Sequence, residues 1–194
     1  MMIIGLTGSI AMGKSEAARI LAAYGVPVFD SDAEVHRLYD SEQGAKLIAP
    51  FVPEATRENK VNREFVTKAV LADGTLLSKL EKVVHAEIRQ RRKAFIETAN
   101  ARGVKAVIVD IPLLFETDSQ KDVDKTIVVS ASAATQKARV LARPNMTEER
   151  FKMILGRQMP DEEKCKIADV IIQNDGTIEE LKAKLMAQMQ KWGI

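Results

Sequence analysis

Met2-Ile3-Ile4-Gly5-Leu6-Thr7-Gly8-Ser9-Ile10-Ala11-Met12-Gly13-Lys14-Ser15 is the stretch from which the fold follows. An apolar run ending at Leu6 reads as a buried parallel strand. It is followed by G-x-x-x-x-G-K-S from Gly8 to Ser15, and then by a helical pattern with Ala18, Leu21 and Ala22 on its apolar face. Strand, glycine loop and helix in that order are the context in which this pattern cradles phosphate, so nucleoside-triphosphate chemistry is the leading expectation. Gly8 and Gly13 let successive backbone amides turn around one anion, and Lys14 can reach the terminal phosphates. The Ser15 hydroxyl can ligate Mg²⁺, and the helix N-terminus adds its positive field beside Glu16. The candidate nucleotide-binding residues are therefore Gly8, Ser9, Ile10, Ala11, Met12, Gly13, Lys14, Ser15 and Glu16. Ser9 and Ala11 stand where glycine would give more freedom, yet each keeps its backbone donor. The competing reading is an ordinary strand-to-helix turn with an exposed lysine.

With 194 residues, 46% of them hydrophobic, the chain has material for one α/β domain and a small mobile subdomain. A formal charge of +2, with acids and bases interleaved, provides no like-charge block for a nucleic-acid tail or a polybasic membrane anchor. Neither partner is expected. The single cysteine, Cys165, excludes an internal disulfide and a cysteine-based zinc cluster and fits a reducing compartment. No leader pattern and no apolar stretch of about 18 residues is present, so a soluble, cytoplasmic protein is expected. The oligomeric state is not set by the sequence, with a monomer favoured.

Four further strands are read at 26–29, 104–109, 125–129 and 170–172, separated by helical patterns, which implies a parallel five-stranded sheet. The interval between the second and third strands is too long for one crossover and shows helical stretches at about 33–39, 63–71 and 76–99. The expected architecture is an α/β domain on that sheet, with a core at 1–32, 104–142 and 168–194. A helical acceptor-binding insertion occupies about 33–103, and a short helical lid about 143–167. Arg143-Pro144-Asn145-Met146-Thr147 reads as the lid hinge, with Thr147 and Arg150 at the start of the next helix. The closing helix, 177–190, places Ile178, Leu181, Leu185 and Met189 on one face, with Trp192 as a packing anchor.

Beyond the loop, Asp30-Ser31-Asp32-Ala33-Glu34 has the spacing of a capping box between Ser31 and Glu34. That leaves Asp32 in the first helical turn as a candidate general base, or as a carboxylate that only complements the helix dipole. Asp30 reads as a hydrogen-bonding residue at the strand end. Asp110, at the end of the third strand, can help hold Mg²⁺ or can be a turn carboxylate. The Leu113-Leu114-Phe115 wall that follows, with Glu116, lines a site or fills the core. Arg139 and Arg143, four residues apart on one helix, can both reach a transferring phosphoryl group or can be surface residues. The basic run Arg89, Arg91, Arg92 and Lys93, with Lys82 and His85, is a solvated helix face or a dock for an anionic acceptor. For His85 alone, a core or capping role is the default.

Taken together, these motifs resemble bacterial dephospho-coenzyme A kinases over nearly the whole chain. The resemblance rests on the loop from Leu6 to Ser15, D-S-D at Asp30 to Asp32, the helix with His85, D-I-P-L-L-F-E at Asp110 to Glu116, and A-D-V-I-I-Q-N-D-G at Ala168 to Gly176. It implies a nucleoside-monophosphate-kinase-like P-loop fold, a three-layer α/β sandwich, and transfer from ATP, with Mg²⁺, to the ribose 3′-hydroxyl of dephospho-coenzyme A, the last step of coenzyme A synthesis. Another P-loop small-molecule or nucleoside-monophosphate kinase is the alternative. By resemblance Asp32 is the base, Lys14 the phosphate lysine, and Arg139 or Arg143 the lid arginine. Asn174 to Gly176 border adenine, and His85, Leu113 and Glu116 join Asp32 as candidate substrate contacts. The chain departs from the family pattern at Ser9 and Ala11, and at Ala86, where a proline is usual. Asp110 is not acidic in every relative.

Overall fold

The structure is a computed structural model that describes residues 1–194, the side chain of Arg57 excepted. Its main sheet is five-stranded and parallel. In chain order the strands are β1 (Met2–Thr7), β2 (Val28–Asp30), β5 (Ala106–Asp110), β6 (Lys125–Ser130) and β7 (Val170–Gln173). They lie side by side in the order β2-β5-β1-β6-β7. β3 (Thr56–Arg57) and β4 (Lys60–Val61) form a separate antiparallel hairpin that no strand signal announced, because two residues carry too little period to be read. β1 lies between β5 and β6, paired with Ile3 opposite Val107 and Leu6 opposite Ile127. The loop that leaves β1 is therefore flanked by the carboxyl ends of both neighbours, where ligands bind in such sheets.

The chain divides into two compact units, residues 1–29 with 98–194 and residues 30–97. In the first unit, α1 (Lys14–Ala23) and α9 (Ile178–Lys191) pack on the sheet through Ala17, Ala18, Ile20, Leu21, Leu181, Leu185 and Met189, against Ile4, Leu6, Ile108, Ile127 and Val129. Trp192 packs against the same core. Two expectations fail here. Ala22 is exposed and Ala17 and Ile20 are buried, because the helix turns its Ala17-Ala18-Leu21 stripe inward. Ile178 is exposed, since it opens the first turn of α9 before the helix meets the sheet. The unit is completed by α6 (Ala133–Leu141), α7 (Glu148–Leu155) and α8 (Asp161–Ile167). Thr147 caps α7 by accepting from the Arg150 N–H, in line with the expected hinge.

In the second unit, α2 (Ser31–Tyr39), α3 (Glu42–Ile48), α4 (Arg63–Ala72) and the first part of the long α5 (Gly74–Ala101) surround the hairpin. Helix α5 buries Leu76, Leu80, Val84 and Ile88, four residues apart, as a helix with one buried stripe must. Its Arg91 holds three partners: Glu87 Oε1 at 3.0 Å, Glu34 Oε2 at 3.4 Å and Gln43 Oε1 at 2.9 Å. That arginine ties α5 to α2 and α3 and is not a free member of a basic patch. Nor is Ser31 the cap of α2. The strand runs straight into the helix, so Asp30 is the capping residue and accepts from the Ala33 N–H at 2.9 Å, while Glu34 pairs with Arg37 and Arg91. Among the described residues no helix is long and apolar enough to cross a membrane.

Candidate active site

The glycine loop is shaped by what presses on it. A Cβ on Gly8 would lie 2.5 Å from the Val129 carbonyl of β6, so only glycine lets the chain pass the neighbouring strand. Gly13 has φ of 100°, in the left-handed region, and a Cβ there would meet Asn174 Nδ2 at 2.0 Å. Gly13 also starts α1 without any side-chain cap, which leaves the first N–H groups of that helix available to an anion. Lys14 Nζ lies 2.5 Å from Asp110 Oδ1, a buried carboxylate at the carboxyl end of β5. Thr7 Oγ1 donates to the Pro112 carbonyl at 3.1 Å, which fixes the turn after Asp110 against β1. Ser15 is exposed, and its hydroxyl has no bonded partner among the described residues. Glu16 is engaged by Arg19, whose hydrogen bond holds the Glu16 carboxyl below its ordinary value.

Asn174 is a nearly buried residue just past the carboxyl end of β7. Its side-chain amide donates to the Met12 carbonyl at 2.8 Å, its N–H donates to the Ser130 carbonyl at 2.7 Å, and its own carbonyl accepts from Arg139 Nη1 at 2.8 Å. The Asn174 side chain thus braces the loop. Gly176 lies between Asp175 and Thr177, the cap of α9. Arg139 is on α6, but Arg143 is not on the same helical face. The helix ends at Leu141, because Pro144 disfavours helical geometry in the residue before it, and Arg143 lies exposed in the turn beyond.

Leu114 and Phe115 are core residues, while Leu113 is exposed at 37%. Glu116 points into a polar cluster, where its Oε1 accepts from the Met159 N–H at 2.8 Å and lies 2.9 Å from Nζ of the fully buried Lys164, an ion pair without hydrogen-bond alignment. That cluster makes Glu116 a brace between the turn after β5 and the segment before α8. His85 is exposed in the middle of α5, so neither core packing nor capping accounts for it. Asp32 is exposed in the first turn of α2 and has no hydrogen bond or ion pair among the described residues. Asp161, Gln158, Gln136 and Lys164, all close to the loop or to Glu116, were not legible in the sequence. Polar residues between short lid helices carry no motif, and nothing in the sequence marks a lysine as buried.

No group of three or more metal-ligating side chains occurs among the described residues. A hydroxyl at Ser15 and a carboxylate at Asp110 nevertheless fit Mg²⁺, which takes few protein oxygens and completes its shell with phosphates and water.

A parallel sheet with order β2-β5-β1-β6-β7 and a G-x-x-x-x-G-K-S loop between its first strand and first helix defines a phosphate-loop nucleotide-binding protein. The family model for dephospho-CoA kinase matches residues 2–180. The dephospho-CoA kinase of Brucella melitensis is 47% identical over 185 residues, which is 95% of this chain and 92% of that protein. Among solved structures, TT1252 from Thermus thermophilus aligns with a TM-score of 0.80 and 33% identity over 98% of this chain and 97% of its own. The dephospho-CoA kinase from Campylobacter jejuni aligns with a TM-score of 0.67 and 25% identity over 97% and 96%. The chain belongs to the dephospho-CoA kinase family.

Proposed function

We propose that the protein transfers the γ-phosphoryl group of ATP to the ribose 3′-hydroxyl of dephospho-coenzyme A, giving ADP and coenzyme A. The observation that carries this reading is the loop itself: Gly8 pressed against the Val129 carbonyl, Gly13 in the left-handed region, Lys14 poised at Asp110, and uncapped α1 amides. ATP lies with its phosphates along residues 8–15, where Lys14 neutralises charge as the γ-phosphorus leaves the bridging oxygen. Asp32 accepts the proton of the attacking hydroxyl. Its carboxylate is spared from capping by Asp30 and, among the described residues, from pairing with a cation, which supports that role. Ser15, with Asp110, would hold Mg²⁺, which would supply charge neutralisation to the phosphates. Arg143 is exposed beyond α6 and reaches the phosphoryl oxygens, whereas Arg139 already serves Asn174. Residues 30–97 receive the acceptor, with His85 as a contact, and residues 143–167 cover the phosphates.

The test is incubation with γ-labelled ATP and separate acceptors: dephospho-coenzyme A, a nucleoside monophosphate and water. Label recovered in coenzyme A supports the assignment. Label transferred to the monophosphate and none to dephospho-coenzyme A overturns it.

A further inference from the structure

Three successive residues at the crest of the glycine loop are each held by side chains from α6, from α7 or from the segment between α7 and the start of α8. Ser9 Oγ donates to Asp161 Oδ1 at 3.4 Å. The Ile10 N–H donates to Gln158 Oε1 at 3.1 Å, and the Ile10 carbonyl accepts from Gln136 Nε2 of α6 at 2.9 Å. Ala11, whose φ of 63° is left-handed, packs its methyl with Val140 of α6 and Phe151 of α7.

The residues doing the holding are themselves fixed. Asp161 Oδ2 accepts from Ser130 Oγ at 2.5 Å at the carboxyl end of β6. Met159, between Gln158 and Asp161, donates its N–H to Glu116, and the same Glu116 oxygen faces the fully buried Lys164. Residues 158–164 therefore form a strap that leaves α7, is pinned to the ends of β5 and β6, and bonds the loop on the way.

We propose that Gln158 and Asp161 are positioning residues of the phosphate loop, through which the strap leaving α7 sets the loop geometry that receives the triphosphate. The chemistry of the two bonds supports this. Gln158 offers a neutral amide oxygen to Ile10, so the backbone is fixed without a second negative charge beside the bound phosphates. Asp161 does bring a charge, but Ser130, Ser9 and the Cys165 thiol at 3.8 Å all bond it. Neither residue touches the reacting atoms, and each acts through the loop backbone. The proposal rests on the phosphoryl-transfer reading above, since a loop that binds no triphosphate has no geometry to set.

The experiment compares Gln158→Ala, Gln158→Glu and Asp161→Asn with the unaltered enzyme. Melting temperature, ATP affinity by calorimetry, kcat, and KM for each substrate are measured. Gln158 is half-buried at the end of the lid, so Gln158→Ala retains the fold. It is expected to weaken ATP binding about tenfold, the worth of one well-placed hydrogen bond, with KM for dephospho-coenzyme A changed by less than about twofold. Gln158→Glu restores the acceptor but adds charge. It is expected to weaken ATP binding at low salt and to recover most of it in high salt, a response that Gln158→Ala does not share. Asp161→Asn keeps the shape and loses the charge-assisted bond from Ser130, so ATP affinity falls while dephospho-coenzyme A KM holds. A lowered melting temperature with wild-type ATP affinity and kcat in both Gln158→Ala and Asp161→Asn overturns the proposal and leaves the strap a packing element. Failure of the kinase reading shows separately, as absence of transfer in the unaltered enzyme.

Discussion

Lys14 Nζ lies 2.5 Å from Asp110 Oδ1, so the phosphate lysine is held by a carboxylate that is itself almost fully buried. The pair keeps the ammonium at the head of α1, where a terminal phosphate can replace or share the carboxylate's hold on it. Removing the cation also takes charge compensation from a buried acid. Lys14→Ala is therefore expected to lose phosphoryl transfer and also to lose stability, by about 3 kcal/mol. Adding Asp110→Ala should recover much of the stability and none of the turnover. Thermal melts and product assays on the single and double variants check both halves. Near-native turnover in Lys14→Ala removes the phosphate-loop mechanism.

Ala11 sets two opposing effects against each other. Its φ of 63° costs an alanine about 1–2 kcal/mol relative to an ordinary conformation, which glycine would not incur. Its methyl, however, packs with Val140 and Phe151, worth about 0.8 kcal/mol, and glycine loses a further 0.5–1 kcal/mol or so in chain entropy on folding. Ala11→Gly should thus change stability by less than about 1 kcal/mol and leave ATP affinity within a few-fold. A melting curve and an ATP titration measure this, and a collapse in affinity would show that the methyl holds the loop's shape.

The parallel strands and the loop were legible because each combines local signals that agree. β1 is apolar on both faces, and the motif has a fixed spacing and a helix directly behind it. The sites that were misread depended on where an element begins or on what lies across space. Ser31 and Glu34 have capping-box spacing, but Asp30 stands one residue earlier at the strand's end and takes the Ala33 N–H first. Arg139 and Arg143 have helical spacing, but the proline after Arg143 ends the helix before the second of them. Asn174 was legible only as part of a motif, and the bond from its amide to Met12 was not, since it joins residues 162 apart in the chain. Lys164 could not be read as buried, because its partner Glu116 belongs to a different motif.

Asp169 fastens β7 to β6. Its Oδ2 accepts from both the N–H and the hydroxyl of Thr126, at 2.8 and 2.9 Å, and its Oδ1 accepts from Lys125 at 2.9 Å. Burial pushes the carboxyl up, but Lys125 and Thr126 outweigh it and hold the group below its ordinary value of 3.8. A depressed folded pKa means that the stabilisation is complete above the unfolded value and is lost as pH falls through the lower folded value. Asp169→Asn should therefore cost about 1–2 kcal/mol at neutral pH, and the deficit should vanish as both proteins are taken below the lowered folded value. Denaturant unfolding across that range tests the sign. A deficit that grows on acidification contradicts the assignment.

Asp32 separates the chemical role from the structural one. Because Asp30, not Ser31, accepts the Ala33 N–H, the cap of α2 survives any change at Asp32. Asp32 itself is exposed and contributes to stability only through the helix dipole, worth a few tenths to about 1 kcal/mol. Asp32→Asn keeps the size of the side chain and cannot accept a proton at neutral pH. Stability is expected to fall by no more than about 1 kcal/mol and ATP affinity to persist, while transfer to dephospho-coenzyme A drops by roughly 10²-fold or more, the usual loss for a positioned base. Asp30→Asn is the control. It retains a capping oxygen and should keep its turnover within a few-fold of the unaltered enzyme. Melting temperature, nucleotide affinity and product formation measured on the same samples distinguish the outcomes. If Asp32→Asn turns over at a near-native rate, proton acceptance lies with another group, and Asp32 is reduced to a dipole carboxylate.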